Sequence, residues 1–369
     1  MKRVLFITNY ASPYRVRFFD ELSRYCQVTA AFSEETGEQK HRDKSWFTRG
    51  NGSFRWVQLK KRLCAVQGNA LCTDVVGLLK EPYDYMIICG YSSPTAILAM
   101  AYLRLHKIPY FLEVDGGLIR QDSAWKLRMK RLLVKGAAGY LSTGGTVSEY
   151  LRHYGAEAGK IYRYPFSSLE SADIWPSPAS LEEKKALREE LGISEEKAIL
   201  AVGQFIPRKG LDVLLDAAAL LENTVGIYMV GGEPSPEILQ KREDRQLRHV
   251  HFVGFRKKEE LTKYYRAADV LAMPTREDIW GLVVNEAMAC GLPVVSTDRC
   301  VAARELVEDG VNGYLVPAED PAALAEKLGQ ALSGDCAAMG RASLEKIRPY
   351  TVENMALAHA ELFERLGKG

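Results

Sequence analysis

The chain has 369 residues, 47% hydrophobic and 26% charged, the proportions of a soluble globular enzyme long enough for two domains with a core each. No apolar run reaches the ~18 residues of a membrane-spanning helix, and seven scattered cysteines without a C-x-x-C pair exclude a cysteine zinc site and fit a reducing cytoplasm. The net charge of +2 hides an asymmetry: residues 1–170 hold 25 Lys+Arg against 15 Asp+Glu and the rest 24 against 32, so the first half is expected to meet something anionic.

The N-terminus is basic and then apolar, too short for a secretory signal, and 3–8 is expected as a first strand. A helix near Tyr14–Tyr25 follows the turn Ser12-Pro13-Tyr14-Arg15. Residues 34–62 are polar and weakly periodic, expected as irregular with a strand near Phe54–Leu59. Leu71–Leu79 is expected as a helix, Tyr85–Cys89 as a strand, Thr95–Leu105 as a helix and Tyr110–Glu113 as a strand. That last strand delivers E-V-D-G-G. Asp115 with two glycines at a strand's C-terminal end reads either as an ordinary turn or as a carboxylate projected into a ligand crevice. Gly90 and Ser92, after the preceding strand, carry the same two readings.

Trp125–Lys135 is the most basic helix-like segment, with Lys126, Arg128, Lys130, Arg131 and Lys135 interleaved with Trp125, Leu127, Met129, Leu132, Leu133 and Val134. Such a stretch either lies on an anionic bilayer surface or packs its apolar side on a sheet. No nucleic-acid module accompanies the basic face, so nucleic acid is not expected as a partner. A strand at Ala138–Ser142 and a helix at Val147–Tyr154 close the first domain, 1–165. The Ser- and Pro-rich stretch 166–180 reads as a linker, and Ser180 caps a helix that runs to Leu191.

The second domain, 181–349, restarts with a strand at Ala198–Val202. Its loop holds Gly203, Arg208, Lys209 and Gly210, and two cations there can neutralise a diphosphate. Strands follow at Val225–Gly232 and Val250–Phe255, then a helix at Glu259–Ala267. The segment Asp269–Thr297 reads strand (Val270–Met273), turn (Thr275–Gly281), helix (Leu282–Ala289) and strand from Val294. A helix N-terminus at a strand's C-terminal end suits an anion, whereas the flanking carboxylates Asp278 and Glu286 suit sugar hydroxyls. Together they point to a nucleotide sugar; the plainer reading is a Rossmann-like unit whose acids cap a helix. A turn and strand lie in G-V-N-G-Y-L-V-P, and helices are expected at Pro321–Leu332, Ala337–Ile347 and Val352–Leu366.

D-I-W-G-L-V-V-N-E-A-M-A-C-G-L-P-V-V resembles the signature of family 4 retaining glycosyltransferases of the GT-B fold, Glu, seven residues, Glu, then Ala-Met-Ala-x-Gly-x-Pro-Val. V-G-Q-F-I-P-R-K-G-L-D is similar to that family's phosphate loop. Two positions depart: Asp278 stands for the first glutamate, with Glu277 beside it, and Gln204 stands where many members have arginine. The resemblance implies an α/β GT-B architecture, two Rossmann-like domains with parallel sheets facing across a cleft, the helix within 350–369 packing back on the first. It implies sugar transfer from a nucleoside diphosphate sugar, a UDP-sugar, to a saccharide or lipid-linked acceptor in cell-surface polysaccharide or glycoconjugate synthesis.

The implied catalytic residues are Asp115, Arg208, Lys209 and Asp278. The donor would meet Gly203, Phe255, Arg256, Glu277, Gly281, Leu282, Val283 and Glu286, and the acceptor Tyr14, Arg15 and Gly116. No metal or further cofactor is implied besides the nucleotide sugar as co-substrate. The expected place is the cytoplasm, peripheral at the inner membrane face through Trp125–Lys135. A GT-B sugar-nucleotide epimerase and a catalytically weak homologue acting as a complex subunit remain as alternatives.

Overall fold

Short apolar runs become central strands here because both faces of each sheet are covered. In β1 (Arg3–Thr8) the side chains of Val4, Leu5 and Phe6 are all fully buried. The computed structural model describes residues 1–34, 52–66 and 69–367, which divide into two units, Met1–Glu170 with Tyr350 onward, and Ser171–Pro349.

The first unit continues with α1 (Pro13–Leu22), β2 (Gln27–Phe32), β3 (Arg55–Gln58), β4 (Arg62–Val66), β5 (Asn69–Cys72), α2 (Val75–Leu79) and β6 (Tyr85–Cys89). Then come α3 (Pro94–Leu105), β7 (Phe111–Val114), α4 (Ala124–Val134), β8 (Gly139–Ser142), α5 (Gly145–His153) and β9 (Ile161–Arg163). Seven of the strands form one parallel sheet in the order β3-β2-β1-β6-β7-β8-β9. The strand order reverses between β1 and β6, and loops leaving such a switch point bracket a crevice.

The second unit runs α6 (Leu181–Leu191), β10 (Lys197–Val202), α7 (Leu211–Ala218), β11 (Val225–Val230), α8 (Pro236–Asp244), β12 (Val250–Val253), α9 (Lys258–Ala267) and β13 (Val270–Met273). It ends with α10 (Leu282–Ala289), β14 (Val294–Thr297), α11 (Val301–Leu306), β15 (Gly313–Val316), α12 (Pro321–Ser333) and α13 (Cys336–Ile347). Its six-stranded parallel sheet has the order β12-β11-β10-β13-β14-β15, reversing between β10 and β13. Ile199, Leu214, Ile227, Val270 and Leu328 sit fully buried at the centre of its core.

The last helix, α14 (Val352–Leu366), belongs to the first unit. Its Phe363 stacks on Tyr85 with ring centroids 4.8 Å apart, and the Tyr85 hydroxyl donates to the Phe363 carbonyl at 2.7 Å. His359 packs against Phe18 of α1 at 4.8 Å.

One local expectation is corrected. Leu71–Leu79 is not one helix: Asn69–Cys72 pairs antiparallel with Arg62–Val66, and only Val75–Leu79 is helical. The cause is tertiary, since Thr95 Oγ1 accepts from Cys72 N at 2.9 Å and donates to the Ala70 carbonyl at 2.6 Å. Strand β2, for which Q-V-T-A-A-F has too little alternation to speak, exists through six register partners on β1. Of the polar stretch 34–62, residues 35–51 lie outside the described residues.

Candidate functional site

In the second unit the residues converge around the switch point. After β10, Gly203 donates its N–H to the Val230 carbonyl at 2.9 Å, and Pro207–Lys209 closes a single 3-10 turn. Gly210 ends that turn at φ +64°, and a Cβ there would lie 2.0 Å from the Pro274 carbonyl oxygen, so no other residue fits. The loop after β10 therefore lies directly on the loop after β13. Lys209 Nζ reaches Asp278 Oδ2 at 2.5 Å. Arg208 Nη1 donates to the Glu277 carbonyl at 2.8 Å and stands 3.4 Å from Asp278 Oδ1. The Arg208 side chain is 43% exposed, Lys209 15% and Asp278 11%.

Beside this triad begins α10. Its N-cap is Gly281 at φ +103°, and a Cβ there would stand 2.5 Å from the Cys300 sulfur. No side chain caps the helix, so the first-turn N–H groups at half-buried Leu282 and Val283 are available to an anion. Glu286, one turn on, accepts from the Tyr265 hydroxyl at 2.8 Å. Burial pushes the Glu286 carboxyl above its ordinary range, against the pull of the Tyr265 bond and of Lys258. Phe255 and Arg256 stand in the loop after β12. Phe255 is about half exposed, and Arg256 is turned to Glu260 at 3.8 Å and to the Phe255 carbonyl at 3.1 Å.

In the first unit Arg15, expected from the sequence as an acceptor contact, stands in a buried ion-pair cluster. Arg15 is 3% exposed; its Nη1 donates to Glu113 Oε2 at 2.7 Å, and its Nη2 to both Asp115 oxygens at 2.6 Å. Cys89 and Tyr164 also donate to Glu113, at 2.8 and 2.7 Å. Burial pushes Glu113 up, but Arg15, then His359 and the Cys89 bond, win and hold its carboxyl at about 2. Burial and the Glu113 charge leave Asp115 above its ordinary value despite Arg15. Arg15 is thus paired with two carboxylates. Tyr14 is half-buried, its ring 5.6 Å edge-on to Phe166 and its phenol raised to about 12 by burial and then by Asp115. Gly116 follows Asp115 and is half-buried.

Along α4 only Val134 is buried, whereas Trp125 is 69% and Leu132 61% exposed. Among the described residues Lys130 is engaged at short range, to Asp122 at 2.7 Å and the Tyr154 hydroxyl at 3.1 Å. Leu127 and Leu133 of this helix are half-buried. Among the described residues no helix is long and apolar enough to cross a membrane, and no group of three His, Cys, Asp or Glu side chains is placed to hold a metal ion.

Two contributors escaped the sequence reading: Glu113 and Tyr265. Glu113 left a signal, being a charged residue inside a buried apolar strand, where such a group needs a partner.

Comparison with known proteins agrees with the second unit most directly. Residues 196–334 match the family described as "Glycosyl transferases group 1". The D-inositol 3-phosphate glycosyltransferase of Xylanimonas cellulosilytica is 36% identical over 202 residues, 53% of this chain and 48% of that protein. Its namesake in Streptomyces avermitilis is 34% identical over 244 residues, 60% and 50% of the two chains. The chain thus spans about half the length of the curated relatives it matches. Among solved structures, HepE of Anabaena with UDP and glucose superimposes with a TM-score of 0.74 at 19% identity, covering 100% of both chains. Sucrose-phosphate synthase of Thermosynechococcus elongatus gives 0.76 at 19%, also over 100% of both. The fold is GT-B.

Proposed function

Residues 196–334 being a glycosyl transferases group 1 domain, we propose that the chain transfers a sugar, with retention, from a nucleoside diphosphate sugar to a saccharide or lipid-linked acceptor. The observation that carries this reading is the meeting of Arg208, Lys209 and Asp278 beside the uncapped N-terminus of α10. A departing diphosphate gathers charge on its bridging oxygen, and two cations with a helix dipole stabilise that charge where it forms. The bond from the anomeric carbon to the phosphate oxygen breaks, the acceptor oxygen takes the carbon, and its proton goes to the departing phosphate oxygen. No protein nucleophile is assigned. Glu286 accepts from the ribose diol, with Tyr265 holding its other oxygen, and Asp278 meets the donor sugar. The first unit takes the acceptor, with Asp115 as the orienting carboxylate.

UDP is the nucleotide in the HepE complex, and a UDP-sugar is the donor we propose. The exposed Trp125 and Leu132 among the cations of α4 support peripheral contact with an anionic membrane, and through it a role in cell-surface glycoconjugate synthesis. Membrane contact is checked by sedimentation with anionic and with neutral vesicles; binding to neither removes it. The transfer itself is tested by thermal shift and product formation with UDP-, GDP-, ADP- and dTDP-sugars. One nucleotide class at ~100 times its Kd should stabilise the protein by about 2.7 kcal/mol. The product's anomeric configuration, read by NMR, tests retention. No shift and no product with any donor would overturn the reading.

A further inference from the structure

Arg276 has no role in the scheme above, yet its guanidinium makes five hydrogen bonds inside the second unit. Two go to Asp212 (Nη1–Oδ1 2.8 Å, Nη2–Oδ2 2.7 Å), one to the Pro207 carbonyl at 2.6 Å, and two to Glu319, from Nη2 at 3.1 Å and from Nε. A guanidinium has five N–H groups, so all are used. Two carboxylates also neutralise its charge more than once over. Arg276 is therefore not a phosphate ligand, unlike Arg208 with its half-open side chain.

What it grips is the phosphate loop. The Arg276 backbone N–H donates to the Arg208 carbonyl at 2.9 Å, and Thr275 Oγ1 donates to the same oxygen at 2.9 Å. By its own backbone the Pro207–Lys209 turn is held by Lys209 N to the Ile206 carbonyl at 2.9 Å and Gly210 N to the Pro207 carbonyl at 3.2 Å. A turn so short, carrying two long cationic side chains, needs outside support to keep them in one place. Glu319 sits at φ +63°, a left-handed conformation unfavourable for a side chain that large, and its carboxylate ends on Arg276. The guanidinium thus ties together loops leaving β10, β13 and β15.

We infer that Arg276 is a positioning residue that clasps the Pro207–Lys209 turn to the Thr275–Asp278 turn, so that Arg208 and Lys209 stand preorganised for the two phosphates of a nucleoside diphosphate. This deepens the donor-site reading and rests on it. Preorganisation strengthens binding by removing the ordering cost at the moment of binding.

The test is titration calorimetry with UDP, GDP, ADP and dTDP and the matching monophosphates, on the wild type and on Arg276→Lys, Arg276→Gln and Asp212→Asn. Arg276→Lys keeps the charge and loses the fork. For the preferred nucleotide each variant weakens the diphosphate by about 10-fold or more and the monophosphate by less than about threefold. Combining Arg276→Gln with Asp212→Asn adds little, because both break one clasp. If Arg276→Gln does not fold, Arg276→Lys and Glu319→Gln read the same clasp. Wild-type diphosphate affinity in Arg276→Lys, or equal losses for mono- and diphosphate, would overturn the clasp while leaving the donor site standing. A wild type that binds no nucleotide would overturn both.

Discussion

In the first unit the first turn of α1, which follows β1, delivers Arg15, and in the second the loop after β10 delivers Arg208 and Lys209; both segments follow a strand at which the sheet order reverses. Arg15 is sealed between two carboxylates, one of them fully buried. Arg208 and Lys209 share one carboxylate, and Arg208 is open to solvent. Two carboxylates for one cation make a closed structural unit. One carboxylate for two cations leaves a surplus positive charge that a ligand anion can take. In the proposed reading the same topology builds a positioned carboxylate, Asp115, in one unit and an anion site in the other. Counting the charges around each cation tells them apart.

The largest break of this comparison is Arg15→Met, which strands Glu113 in the core. Removing one partner of a buried pair costs roughly 3–5 kcal/mol, read by chemical denaturation. Acid gives the matching signature. The folded Glu113 carboxyl lies at about 2, below the ~4.3 of an unfolded chain, so its contribution is full above ~4.3 and is lost as pH falls toward 2. In Arg15→Met that loss should be absent from the stability–pH curve.

Next comes Lys209→Ala, expected to lower kcat by about 10²–10³ with stability little changed, as removal of one charge-stabilising donor does elsewhere. A smaller and opposite effect is expected from Asp278→Asn. Freed from its carboxylate, Lys209 should bind the bare nucleoside diphosphate about 10-fold more tightly while transfer from the sugar donor falls. Weaker diphosphate binding in this variant would mean that Asp278 serves to hold Lys209 in place. The smallest effect is on pH. A ribose diol needs an ionised acceptor, and Glu286 is raised by burial, so donor affinity should fall with decreasing pH earlier than for an ordinary carboxylate at ~4.3. In Glu286→Gln that dependence should vanish.

What could be read in advance follows the range of the forces involved. Helices Leu282–Ala289 and Val352–Leu366 are specified by local periodicity and stops, and they fall at the expected bounds. The phosphate loop and the acidic turn were legible as motifs, and the fold brings Arg208, Lys209 and Asp278 to one point. The buried pairing of Arg15 had no local signal, because its environment is set by Glu113 and Asp115, about a hundred residues along the chain. β2 and the β4–β5 pair are decided by partners in other elements, to which a local pattern is blind. The methylene missing at Asp278 also has a reading only in three dimensions, where the shorter carboxylate ends on Lys209.

The most direct test of the central claim is calorimetric titration of UDP into the wild type and into Lys209→Ala at low ionic strength. The account predicts saturable binding to the wild type and its loss in the variant, with the melting temperature of the free protein unchanged. Equal binding to both proteins would contradict it, and the anion site would have to be sought elsewhere.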